Sequence, residues 1–282
     1  MGILACMFPH GDCKFSDLET FSYKRTGHNR LNSKIFHQWD IIEHERQAMN
    51  KPGPYRSLIL KHTRDDLIKS CKILLLGVLG FTSPYIFSNY INSFRQTHWS
   101  LYLPSELDIP RVEWMVIFYV SAYILPLLTL FALSPRQHKG LIKAIFLSGL
   151  FGACIFLLLP TKLGYARDLD QIIYFKPVYE LLWQIDLPYN LMPSMHVTMA
   201  HLMLMPIIYE KINPVWKFAL SLWLLGIYLS IVLVHQHHMI DIVSGHILAE
   251  YCFRRFYKNQ GYIGIEDQVE IEAAKNISDL AA

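Results

Sequence analysis

Residues 114–135 read WMVIFYVSAYILPLLTLFALSP, a run without Asp, Glu, Lys or Arg between Glu113 and Arg136. At 1.5 Å per residue, a helix of about 20 such residues crosses the ~30 Å hydrocarbon core of a bilayer. Outward from this run, the same freedom from charge holds over 73–94, 144–161, 187–209 and 218–240. The whole chain follows: 282 residues, 52% hydrophobic and only 17% charged, with a mean hydropathy of +0.24. A soluble domain carries about 25% charge. These runs exclude a soluble globular protein, a disordered tail protein and an enzyme held by a single anchor.

The expected fold is all-α: a six-helix transmembrane bundle with a cytoplasmic N-terminal extension. Spans are expected at about 73–92, 113–134, 141–160, 193–210, 215–235 and 238–256. Asp241 and Glu250 interrupt the last, and a charge at membrane depth usually marks function. The domain reading is a polar, basic extension over 1–70, a membrane domain over 71–257 and a tail over 258–282. Within the extension, 57–72 reads either as an amphipathic helix on the membrane surface or as a solvated lead into the first span. Of the 26 Lys and Arg residues, only Arg95, Arg111, Lys162, Arg167 and Lys176 fall on the side opposite the termini. The positive-inside rule therefore puts both termini in the cytoplasm. The long connection 161–192 then lies outside, with Tyr174, Phe175, Tyr179 and Trp183 as an interfacial helix or a packed lid. The five cysteines form no C-x-x-C pair, so they indicate neither a zinc site nor a disulfide framework. Cys71, beside the first span, reads as a buried thiol or an acylation site.

Two histidine clusters carry the chemistry. Pro193-Ser194-Met195-His196 opens the fourth expected span; Ser194 can cap the helix, and free N–H groups at a helix N-terminus favour anions. The second cluster, Ser230-Ile231-Val232-Leu233-Val234-His235-Gln236-His237-His238-Met239-Ile240-Asp241, fills a short turn. His237 and Asp241 are four apart and share a helix face. A carboxylate there orients the imidazole and leaves its other nitrogen free as nucleophile or base. Taken singly, each cluster also reads as a helix cap or a structural pair. Charge topology puts His196, His237, Lys162 and Arg167 at one membrane face, a set suited to phosphoryl transfer without a metal.

These motifs resemble those of the type-2 phosphatidic-acid phosphatase superfamily, which includes lipid phosphatases and the sphingomyelin and inositol-phosphoceramide synthases. The family shows P-S-G-H, then S-R-x5-H-x3-D. Here Met195 stands at the glycine and Ile231 at the arginine, and Lys162-x4-Arg167 is only an approximate copy of K-x6-R-P. The likeness covers roughly 100–256. It implies His237 as a nucleophile forming phosphohistidine, Asp241 as its orienting acid and His196 as the general acid. It also implies Ser194, Lys162 and Arg167 on the phosphate, with no metal or other cofactor. The expected activity is hydrolysis of a lipid phosphomonoester or diphosphate at the non-cytoplasmic face. The alternative is transfer of a headgroup to an alcohol. A metal-dependent oxidase using His235, His237 and His238, or a transporter, is the remote reading. The expected partners are the bilayer and a lipid phosphate, not nucleic acid.

Overall fold

The structure, a computed structural model, describes residues 55–263. The expected extension over 1–54 and the tail over 264–282 lie outside the described residues. Eight α-helices follow in order: α1 (Arg64–Ser93), α2 (Val116–Ser121), α3 (Leu125–Ala132), α4 (Pro135–Leu158), α5 (Lys176–Ile185), α6 (Met195–Tyr209), α7 (Pro214–Leu233) and α8 (Met239–Phe256). A 3-10 turn over Ala122–Ile124 joins α2 to α3. Among the described residues β pairing is limited to isolated bridges, Arg56 with Ile212, Trp99 with Thr161 and Lys162 with Tyr189.

The helix starts are written locally. Thr63 and Asp66 form a capping box at α1: Asp66 N–H donates to Thr63 Oγ1 at 3.2 Å, and Thr63 N–H donates to Asp66 Oδ2 at 3.3 Å. Ser134 caps α4 with Gln137 three residues on and Pro135 in the first turn; Asn213 and Pro214 do the same for α7. Each cap satisfies donors that a helix otherwise leaves open. The Thr63 box starts α1 at Arg64, so 57–62 is not the amphipathic helix expected. With Arg56 it forms a non-helical strap whose donors reach the α6–α7 loop and the end of α3: Arg56 N–H on Lys211 O at 3.0 Å and Leu60 N–H on Phe131 O at 2.9 Å. Cys71 is exposed on α1, against the expectation of a buried thiol.

Among the described residues, four helical segments are long and apolar enough to cross a membrane: Arg64–Ser93, Glu113–Ala132, Pro135–Leu158 and Pro214–Leu233. This is the mark of an integral membrane protein. Their outward faces are apolar, with Leu75, Leu76, Leu79, Phe87, Phe218, Leu222 and Leu225 each at least half exposed. A surface of this kind fits lipid and not water. The fourth and sixth expected spans differ from the other four. Helix α6 has 15 residues, or about 22 Å. Helix α8 carries Asp241, Glu250, Arg254 and Arg255. Protein, not lipid, surrounds α6: Val197, Ala200, Leu202, Met203, Leu204 and Ile207 are all fully buried. A helix wrapped in this way is apolar on every side without having to match the bilayer in length.

Small residues bring the helices close. A Cβ on Gly149 of α4 would lie 2.9 Å from Phe81 Cα of α1, and one on Gly80 would lie 2.7 Å from the Phe146 ring. Such contacts are the usual means of association inside lipid, where burial of apolar surface gives little drive. Glu250 of α8 is partnered. His201 Nε2 lies 2.9 Å from Glu250 Oε2, Arg254 pairs with the same carboxylate, and Tyr228 bridges His201 and His246.

Candidate active site

Two local structures aim the histidines. At α6, Asn190 takes a left-handed conformation (φ 58°), which Asn tolerates better than most residues. Ser194 then caps the helix, its Oγ accepting from Val197 N–H at 3.5 Å. At the end of α7, His235 also has φ 58°. Gln236 N–H returns to Ile231 O at 3.1 Å and His235 N–H to Val232 O at 2.9 Å. This is a Schellman turn with His235 in the left-handed position. It reverses the chain within a few residues, so His237 stands just before His238, the N-cap of α8, and faces Asp241 from outside the helix and not from a shared helical face.

The two motifs then lock together. Ser194 N–H donates to Asp241 O at 3.0 Å, and Thr198 Oγ1 donates to Gly245 O at 3.1 Å. A Cβ on Gly245 would fall 2.5 Å from Ser194 O, so this approach of α6 and α8 requires glycine there. The result brings the rings of His196 and His237 to a centroid separation of 5.9 Å, edge to face. His237 is 3% exposed. Its Nδ1 lies 3.4 Å from Asp241 Oδ2, within ion-pair range but without hydrogen-bond geometry. The same carboxylate oxygen accepts His238 N–H at 2.8 Å, so Asp241 caps α8 as well as facing the imidazole.

A carboxylate that the sequence reading passed over completes the site. Asp186, at the end of α5, accepts from the hydroxyls of Tyr85 on α1 and Tyr119 on α2, the latter at 3.3 Å. The Tyr119 hydroxyl also meets His196 Nδ1 at 3.1 Å, and Tyr123 meets His196 Nε2 at 3.0 Å. One ligating atom from each of Asp186, His196 and His237 lies within 4.8 Å of the other two. A visible signal existed: Asp186 is the last charge before the run that opens at Leu187 and leads into Pro193-Ser194-Met195-His196. The tyrosines gave none, because they sit in apolar runs rich in aromatic residues.

The expected phosphate-binding residues separate. Arg167 reaches the site's rim, donating to Asp186 O at 2.6 Å, Trp183 O at 3.4 Å and Gln236 Oε1 at 3.1 Å. Burial lowers its pKa, opposed by the nearby Asp186 carboxylate. Its Nε is buried without a hydrogen-bond partner. Lys162 is exposed, and its side chain makes no hydrogen bond or ion pair among the described residues. Its backbone bonds to Trp99 O at 3.1 Å. Ser194 is fully buried with its hydroxyl at the cap. Nor do His235, His237 and His238 converge. His235 Nε2 meets Ile109 O at 2.9 Å, while His238 is stacked between Tyr102 and Tyr165 at 4.4 and 4.8 Å.

Beside His196 lies a cavity of about 270 Å³. Its walls are largely apolar, from Val78, Phe81 and Ile86 of α1 to Pro126 of α3; Thr82, Tyr85, Tyr123, Asp186 and His196 form its polar part. Compared with known proteins, the chain matches no family model and no curated sequence.

Proposed function

We propose that this chain is a lipid-phosphate phosphatase of the type-2 phosphatidic-acid phosphatase superfamily. It would hold six spans with both termini in the cytoplasm and the site at the opposite face. The observation that carries this reading is the meeting of His196 and His237, far apart in the chain, at 5.9 Å in one buried site. Two imidazoles so placed suit in-line displacement at a single phosphorus atom.

In the reaction, His237 Nε2 attacks phosphorus while Asp241 stands behind Nδ1. A phosphorus–nitrogen bond forms and the phosphorus–oxygen bond to the lipid breaks. Protonated His196 gives its proton to the departing oxygen. Neutral His196 then takes a proton from water, whose oxygen attacks phosphorus; inorganic phosphate leaves and His237 is restored. Asp186, joined to His196 through Tyr119, places a negative charge where the imidazolium must exist. Arg167 supplies the nearby cation. The apolar cavity accommodates acyl chain next to the reacting group.

The test is phosphate release from a short-chain phosphatidic acid by the purified chain in detergent. The His237→Ala variant should lose activity to background; activity near the wild-type level would remove the proposed nucleophile. Adding a diacylglycerol or ceramide acceptor distinguishes the products, with free phosphate expected in place of a new phospholipid.

A further inference from the structure

The Asp186–His196–His237 cluster presents a difficulty for a site devoted to phosphate alone. A buried carboxylate beside the phosphorus position repels the anion it should receive. The same three side chains are, by contrast, a good set for a divalent transition ion. Two imidazoles and a carboxylate are common zinc ligands, with bonds of about 2.0–2.2 Å. Tetrahedral ligation asks for ligand atoms roughly 3.4 Å apart; here all three lie within 4.8 Å of one another. Closing that gap requires His196 to exchange one of its two tyrosine hydroxyls, Tyr119 on Nδ1 or Tyr123 on Nε2, for the ion. The supporting contacts are also present. Asp241 stands behind His237 Nδ1, and Tyr85 and Tyr119 hold the Asp186 carboxylate. Partners of this kind orient first-coordination ligands in zinc proteins.

We infer that Asp186, His196 and His237 bind one zinc-class ion, and that this ion switches the phosphatase off. Binding stands on the geometry alone; inhibition rests also on the proposed function. The exclusion is a matter of one electron pair. His237 Nε2 has a single lone pair, directed away from Asp241, and it bonds either to the metal or to phosphorus. His196, once ligated, likewise loses a nitrogen needed for proton transfer. Metal and phosphoenzyme therefore cannot share the site.

The probe is Zn2+ titrated into the chelator-stripped full chain in detergent, followed by calorimetry, with Co2+ absorption reporting tetrahedral ligation. Wild type should bind one site-dependent equivalent. Asp186→Asn, which keeps an oxygen for the tyrosines, should weaken it by about 100-fold or more, and Asp241→Asn by about 10–100-fold. His98→Gln, outside the cluster, should leave it unchanged. Equal zinc affinity in wild type and Asp186→Asn, or no tetrahedral Co2+ spectrum, overturns the site. Zinc should inhibit phosphate release competitively with lipid phosphate, and EDTA should restore it. Activity unaffected by a saturated site, or dependent on zinc, overturns the switch. Zinc bound as described to a chain that releases no phosphate when metal-free supports the site and sinks the phosphatase reading instead.

Discussion

His196 is held by two tyrosine hydroxyls, at 3.1 Å on Nδ1 and 3.0 Å on Nε2, and this makes its role separable from that of His237. A general acid matters in proportion to how badly the leaving oxygen needs a proton. Replacing His196 with Ala should slow phosphate release from an alkyl phosphate by about 10²–10⁴-fold. With p-nitrophenyl phosphate, whose phenolate leaves unprotonated, the loss should be at least tenfold smaller. Equal losses on the two substrates would assign His196 to binding instead. Arg167 invites a similar measurement. Its guanidinium ties the end of α5 to Gln236, so Arg167→Ala should raise KM for lipid phosphate and also loosen the 167–186 segment. A lower kcat at unchanged KM would place its action in the transition state.

Helices α6 and α8 are joined by backbone at Ser194 and Asp241 and by Thr198 at Gly245. This crossing, and not the flexibility of any side chain, sets the distance between the imidazoles. Gly245→Ala places a methyl 2.5 Å from the Ser194 carbonyl oxygen, and the obstacle is backbone. Forcing the helices apart should cost about 1–3 kcal/mol, a fall of roughly 2–4 °C in Tm per kcal/mol for a domain of this size. Phosphate release should fall with it, because Ser194 leads directly into His196. Unchanged melting in detergent would show that α6 and α8 do not depend on this contact. The α1–α4 pair obeys the same rule through Gly80 and Gly149, but there only α1 lines the cavity, and the contact carries neither imidazole.

Across the molecule, the site lies where α5, the start of α6 and the α7–α8 turn meet, at the face opposite the Arg254 and Arg255 end of α8. The proposed topology makes that face non-cytoplasmic. On a background with the native cysteines changed to Ser, Tyr174→Cys should react with an impermeant maleimide from outside sealed right-side-out vesicles; Tyr174 is 80% exposed. Asn259→Cys, at the other end, should react only after permeabilisation. The opposite pattern would reverse the orientation and move the chemistry to the cytoplasm.

Some of this was legible in the linear chain. Helix class, the apolar runs and the caps depend on neighbours within a few residues. The His237–Asp241 pairing is likewise local, although it forms across the N-cap of α8, with His237 outside the helix, and not along one helical face. That α6 is wrapped by protein was not legible, because a run of apolar letters looks alike whether lipid or other helices cover it. Asp186, Tyr85, Tyr119 and Tyr123 come from α5, α1, α2 and the 3-10 turn after it. Only packing brings them to His196, and only packing leaves Lys162 exposed while Arg167 turns inward. Sequence alone determined a helical membrane protein with two histidine motifs. The three-dimensional structure decided that those motifs meet and that the Asp186 carboxylate stands beside them, because convergence of distant side chains depends on helix crossings that no local pattern encodes.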